Sequence, residues 1–225
     1  ITTAVLRAPE RGLSGGAVRI ELEDVAVAET EQRTQAVVAL LVDTSFSMVM
    51  DDHWVPMKRT ALALAELIAT RFRGDKLQII GFGRSARTLE VAELAGLDGV
   101  WEQGTNLHHA LLLAGQHLRR YPNARPVVLV VTDGEPTAHL EVDGEAVFDY
   151  PPSPRTIGLT VRELDAIARL RAHVTFFRLG DHPSLARFID RIAKRVGGTV
   201  VAPESSALGA AVVGDYLRTR WWRAG

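Results

Sequence analysis

The chain has 225 residues, 47% of them hydrophobic and 24% charged, with a formal net charge of −1. That length and composition fit one large α/β domain with a sizeable core, and the balanced charge removes whole-chain attraction to nucleic acid or an anionic membrane. With no cysteine, neither a disulfide framework nor a thiolate metal site can form, and no apolar run approaches the length of a bilayer span. Ile1 stands where a Met would open a full gene product, and no signal peptide follows it. The expectation is therefore a piece of a longer protein, working in the cytoplasm.

In chain order, residues 1–30 read as an N-terminal extension. Within it, Ala17–Ala28 alternates apolar and polar residues in the manner of an edge strand or hairpin. Val37–Val42 is apolar throughout, as is Val127–Val131, which is the pattern of strands buried on both faces. Leu77–Phe82, Val174–Phe177 and Thr199–Ala202 read as further strands, and Ala86–Glu90 as a short strand antiparallel to Leu77–Phe82. Between them, apolar residues at 3–4 spacing mark helices. The stripes are Met57, Ala61, Leu64, Ile68, Phe72; Leu107, Leu111, Ala114, Leu118; Ile157, Val161, Leu164, Ala168; and Leu185, Ile189, Ile192, Val196. This alternation predicts a doubly wound α/β fold: a mostly parallel six-stranded sheet, one short antiparallel edge strand, and helices on both faces. The assigned domain spans 31–217, with 218–225 as a tail. From Asp133 to Arg155 no periodicity is visible and four prolines occur. A connection this long is either functional or a tolerated surface insertion.

Chemistry concentrates at the carboxyl ends of strands, where open α/β sheets bind ligands. Asp43 ends the first buried strand, and in extended backbone Asp43, Ser45 and Ser47 point to one side. A carboxylate and two hydroxyls are hard oxygen donors suited to Mg2+. Alone, the triplet could equally be a helix cap by Ser47 and a turn closed by Asp43. Thr105, in Gly104-Thr105-Asn106-Leu107, opens a helix. Asp133, in Thr132-Asp133-Gly134-Glu135, closes another strand. A cap and a turn would explain these two as well, but three oxygen-bearing loops on one rim favour a common site.

Together the three segments resemble the metal-ion-dependent adhesion site of von Willebrand factor A (vWA) domains, and the strand–helix order resembles that family over about residues 35–217. By that resemblance Asp43, Ser45 and Ser47 hold a metal, with Thr105 and Asp133 bound directly or through water. The implied cofactor is Mg2+, with Mn2+ or Ca2+ as substitutes. The implied partner is a protein that brings an Asp or Glu to that metal, rather than a nucleic acid or a membrane. Phe46-Ser47-Met48, Trp54-Val55-Pro56-Met57-Lys58 and Thr132–Thr137 are similar to bacterial vWA proteins that work beside AAA+ ATPases, among them MoxR-associated proteins and chelatase subunits. The rival reading, a metal-dependent hydrolase or phosphatase, lacks a second carboxylate two residues after Asp43, a nucleophile elbow and a phosphate-binding loop. No enzyme activity is expected.

Four weaker signals remain. Gly81–Ala86 fits a dinucleotide fingerprint, but a strand rather than a helix is expected to follow. Asp51 and Asp52 read as a solvated helix entry, and Glu135 as either a neighbour of a metal-bound water or a solvated acid. Adjacent His108 and His109 cannot share a helix face, so one should face solvent near the rim. Trp221 and Trp222, among Arg218, Arg220 and Arg223, read as a tail packing on the domain or, less simply, as a docking patch.

Overall fold

A computed structural model describes residues 35–99 and 103–221, except the side chain of Trp221. The edge strand or hairpin expected within residues 1–30 lies outside them, as does Trp222. Strand β1 (Ala36–Asp43) is buried at all eight positions. Its alternate side chains enter two different cores, as a period of two requires. Val38, Leu40 and Val42 face one, and Val37, Ala39 and Leu41 the other. β2 (Lys76–Phe82) and β4 (Arg125–Thr132) flank β1 in parallel. β3 (Ala86–Leu89) pairs antiparallel with β2 at one edge.

A hairpin of β5 (Ala138–Leu140) and β6 (Ala146–Phe148) stands apart from the main sheet. β7 (His173–Arg178) and β8 (Thr199–Val201) complete that sheet in the order β3-β2-β1-β4-β7-β8. The six-stranded, mostly parallel sheet with one antiparallel edge strand is thus present, as the strand patterns predict. Its chain order runs outward from β1 in one direction and from β4 in the other. The reversal falls between β1 and β4, directly before Asp43 and Asp133 leave their strands. Such a switch point leaves a crevice beyond the strand ends.

Helices cover both faces. On one lie α1 (Phe46–Met50), α2 (Trp54–Arg71) and α3 (Val91–Gly96), joined by the final helix α7 (Leu208–Trp221). On the other lie α4 (Leu107–Arg119), α5 (Pro154–Arg169) and α6 (Pro183–Val196). The starts of α4 and α5 are written locally. The Asn106 side chain caps α4 by accepting from the His109 N–H. Ser153 caps α5 by accepting from the Thr156 N–H, with Pro154 in the first turn. Gly197, at φ 65°, ends α6 in the left-handed conformation glycine tolerates.

Three features depart from the sequence reading. The face that α5 buries is centred on Thr156, Thr160, Leu164 and Ile167, while Ile157, Val161 and Ala168 are only partly covered. The buried hydroxyls are satisfied locally: Thr160 donates to the Thr156 carbonyl, and the Thr156 hydroxyl is 2.9 Å from His139 Nδ1. The segment without periodicity contains the β5–β6 hairpin, whose three-residue strands are too short to show a period. The last helix runs on to Trp221, so Arg218 and Arg220 are helical. Its inner face mixes Leu208, Val212 and Tyr216 with buried Asp215 and Thr219, which hides the apolar stripe.

Candidate metal centre

At the end of β1, Asp43 is completely buried. Its two oxygens are held separately. Oδ1 accepts from the Ser45 backbone N–H at 2.9 Å, and Oδ2 accepts from the Thr132 hydroxyl at 2.6 Å. The first bond is the one an aspartate makes when it closes a turn two residues ahead. It also turns the following loop so that Ser45 and Ser47 point the same way, with their hydroxyl oxygens 3.2 Å apart. Ser47 then donates to Asp133 Oδ1 at 2.9 Å, bridging the loop after β1 to the loop after β4. Ser45 occupies the cap position of α1 but makes no side-chain capping bond, and Ser47 lies inside that helix. The helix-cap explanation for Ser47 therefore fails, while the turn closed by Asp43 is present.

The third loop is fixed through its backbone. Thr105 N–H donates to the Thr137 hydroxyl at 3.0 Å, and the Thr105 carbonyl accepts from Thr137 N–H at 3.1 Å and Ala138 N–H at 3.3 Å. The Thr105 hydroxyl is thereby set against Gly134, where a Cβ would come within 3.3 Å of it. Ser45, Ser47, Thr105 and Asp133 line one cleft of about 730 Å³, and buried Asp43 is joined to it through the Ser45 amide. All five residues singled out from the sequence thus come together at one rim. Thr132 and Thr137, which hold Asp43 and Thr105 in place, were not assigned roles, because nothing in a threonine's sequence context marks it as a positioning group.

The electrostatics are unbalanced. Burial first, and the neighbouring Asp133 carboxylate second, push the Asp43 carboxyl up to about 7 despite the bonds from Thr132 and Ser45. Burial likewise raises Asp133, against the Ser47 hydroxyl and nearby His53. Asp133 Oδ2 is buried without a hydrogen-bond partner. Among the described residues, no Lys or Arg lies within ion-pair distance of either carboxylate. An acid pair placed this way is relieved by a proton or by a cation, and two carboxylates with three hydroxyls form an oxygen-only donor set suited to a hard one. The residues present therefore fit a divalent ion.

Other candidates fall into place around this centre. Asp51 is exposed, as a solvated helix entry should be, yet it lines the same cleft. Donor atoms of Asp51, His53 and Asp133 all lie within 4.8 Å of one another. That cluster is invisible in sequence, since His53 has no partner at a regular spacing. Glu135 also lines the cleft. His108 is buried and His109 half-buried, and each ring accepts a backbone N–H through Nδ1, from Leu140 and Ala86 respectively, at 3.1 Å. Burial lowers both, His108 to about 4. After Gly81–Ala86 comes β3, not a helix, so the dinucleotide geometry is missing.

The strand order, the switch-point crevice and the three converging loops define a vWA-type domain. The profile of the Rv0959-like protein vWA domain matches residues 36–217, and this chain belongs to that family. Two mycobacterial proteins, Rv0959 of Mycobacterium tuberculosis and Mb0984 of Mycobacterium bovis, are each 67% identical to it over 224 residues, covering 98% of this chain and 33% of their own length. The chain thus spans about a third of these relatives. Among solved structures, the fold is similar to a von Willebrand factor type A protein from Catenulispora acidiphila, with a TM-score of 0.63, 16% identity, and coverage of 83% of this chain and 43% of that one. It is also similar to a mutant PilB minor pilin from Streptococcus sanguinis, with a TM-score of 0.69, 13% identity, and coverage of 85% and 63%. The vWF domain of the pilus tip protein Mfa5 from Porphyromonas gingivalis aligns with a TM-score of 0.61, 11% identity, and coverage of 85% and 98%.

Proposed function

We propose that this domain is a divalent-cation-dependent protein-binding module rather than an enzyme. In this reading Asp43, Ser45, Ser47, Thr105 and Asp133 hold the ion, with Mg2+ as the resident metal and Mn2+ or Ca2+ as replacements. The observation that carries the reading is the pair of adjoining carboxylates, buried Asp43 and half-buried Asp133, with raised proton affinity and, among the described residues, no Lys or Arg beside them. When bound, the ion supplies positive charge and an open coordination position for a carboxylate from a partner. The chain's own residues do the rest. Thr132 and the Ser45 amide aim Asp43, Ser47 tethers Asp133, and Thr137 fixes the Thr105 loop. Because three of the five donors are neutral, the protein cancels the ion's charge without over-compensating it, which leaves attraction for an incoming Asp or Glu.

The partner in this proposal is a protein. The resemblance of Phe46-Ser47-Met48 and Thr132–Thr137 to vWA proteins that work beside AAA+ ATPases makes a MoxR- or chelatase-like ATPase the first candidate. No helix among the described residues is long and apolar enough to cross a membrane, and a cytoplasmic setting suits that partnership.

The test is calorimetric titration of Mg2+ and Mn2+ into the domain beside Asp43→Ala and Asp133→Ala. One ion bound by the parent and lost in both variants is expected. Unchanged binding in both variants would place any metal elsewhere and remove the basis of the proposal.

A further inference from the structure

The cleft at the rim is much larger than one carboxylate needs. Its volume of about 730 Å³ lies in the range of sites that enclose a whole ligand. One side is a wall made by the β5–β6 hairpin and the strand of chain that follows it. Phe148 and Tyr150 both line the cleft, and Leu185 lines it from the start of α6.

This wall is built on the candidate metal loop. Phe148 seats on Gly104, where a Cβ would come within 3.1 Å of the ring. Gly104 has φ 113°, so both its backbone and its bare face suit glycine. Asp149 N–H donates to the Thr137 carbonyl at 2.8 Å, the same Thr137 that pins Thr105. At the hairpin's far side, buried His139 sits between the Thr156 hydroxyl at 2.9 Å and Glu141 at 3.1 Å, and Arg155 holds Glu141 at 2.5 Å. Both ends of the hairpin are therefore tied to the domain. Tyr150 is nevertheless 80% exposed. A held backbone that presents an open aromatic ring loses little entropy on binding.

The charges of the cleft are one-sided. Asp51, Asp133, Glu135 and Asp181 line it, and no Lys or Arg does. A divalent ion would balance the two ligand carboxylates and leave its open position free for an acid, but Asp51, Glu135 and Asp181 still place negative charge around that position. A partner that offers its carboxylate between basic residues would be drawn in instead.

From this arrangement, and resting on the metal-binding reading above, we infer that the β5–β6 hairpin is the specificity wall of the site. It selects a partner segment in which one Asp or Glu is next to an aromatic or large aliphatic side chain and is flanked by Lys or Arg. The apolar side chain packs on Tyr150 and Phe148, and the basic residues face Asp51 and Glu135, with Asp181 already beside Arg178. The insertion after β4 thus decides which acidic segments the site accepts.

The experiment uses labelled peptides and fluorescence polarisation, in Mg2+ and in EDTA. Four peptides share one length and differ at a central core: Lys-Phe-Asp-Lys, Lys-Ser-Asp-Lys, Glu-Phe-Asp-Glu and Lys-Phe-Asn-Lys. In Mg2+, the first is expected to bind about tenfold tighter than the serine and the glutamate peptides, a difference of about 1.4 kcal/mol in each case. The advantage over the glutamate peptide should shrink as salt is added. Tyr150→Ala, at an exposed position where folding is undisturbed, should bring the phenylalanine peptide down to the serine peptide and leave the serine peptide unchanged. Equal binding of the phenylalanine and serine peptides, or an equal loss of both in Tyr150→Ala, overturns the inference. So does a glutamate peptide that binds as well as its lysine counterpart. If Mg2+ binds by calorimetry but no peptide binds at about 1 mM, the wall inference fails and the metal site stands. If the asparagine peptide matches the aspartate one and EDTA changes nothing, the metal-dependent reading itself fails.

Discussion

Two ends of the central sheet each bury an aspartate, and they treat it in opposite ways. At the foot, Asp75 precedes β2 with no exposure of its side chain. It receives the Ala36 N–H at 3.1 Å, the Tyr216 hydroxyl at 2.6 Å and the Arg220 guanidinium at 2.6 and 2.8 Å. Arg220 also lies over the Phe72 ring, 4.6 Å from its centre, and Phe72 meets Tyr216 edge-on. Charge, hydrogen bonds and packing are all complete within the chain. At the rim, Asp43 has two hydrogen bonds and no cation, and a second carboxylate repels it from the next strand end. The foot is a finished ion pair that fastens α7 to the sheet. The rim is a set of negative groups held ready for a charge that no Lys or Arg among the described residues supplies. Stability is concentrated at one end, and binding capacity is stored at the other at a cost in stability.

The largest effect should come from breaking the foot. Asp75→Ala leaves Arg220 without its carboxylate and should cost about 3–5 kcal/mol. Thermal unfolding would then fall by roughly 10 °C or more. A loss below about 1 kcal/mol would mean that the foot is not what secures the last helix.

A smaller and opposite signature is expected in the pH dependence of the domain measured in EDTA. Asp43 has its folded proton affinity raised from 3.8 to about 7. Between those values the folded state keeps a proton that the unfolded chain releases, so the Asp43 contribution to stability falls as pH rises. Asp215, on α7, has the reverse sign. Burial pushes its carboxyl up, but bonds from His173, Thr175 and Arg218 outweigh this and leave it lowered. Its contribution is present above the ordinary carboxylate range and is lost as pH falls through the lowered value. His108, His109 and His117, lowered by burial, act with the opposite sign below their ordinary value, so the Asp43 signature is read as the difference between the parent and Asp43→Asn in EDTA. The parent should lose stability relative to Asp43→Asn as pH rises from about 5.5 to about 7.5. A difference that stays constant across this window would remove the strain assigned to the rim.

The two ends also differ in how far they could be read from sequence. The rim was legible because its residues follow buried strands in short, ordered motifs. Asp43, Ser45 and Ser47 lie within five residues, and the apolar runs before Asp43 and Asp133 reveal the strands that carry them. The foot was not legible. Asp75 and Arg220 are joined only through the fold, and Arg218 and Arg220 looked like part of a charged tail. The helix that carries them buries Asp215 and Thr219 beside Val212 and Tyr216, so no apolar period announced it. The hairpin escaped for a different reason. Its strands have three residues each, and its order comes from Thr137 bonding to the Thr105 loop, His139 and Glu141 to α5, and the Leu140 N–H to His108 on α4, rather than from a pattern of its own.

The most direct test of the central claim compares melting of the parent and Asp43→Asn at neutral pH, each with EDTA and with Mg2+. The substitution preserves shape, and the Thr132 hydroxyl can turn to donate to the Gly134 carbonyl, 3.2 Å away, while accepting from the new amide. Without metal, Asp43→Asn should be more stable than the parent by about 1–2 kcal/mol, because it relieves a buried, unpaired charge. Mg2+ should stabilise the parent, by about 2.7 kcal/mol at a hundred times the dissociation constant, and leave the variant unmoved. A variant less stable than the parent in EDTA, or one that gains as much from Mg2+, would contradict the view of the rim as negative charge held for a cation.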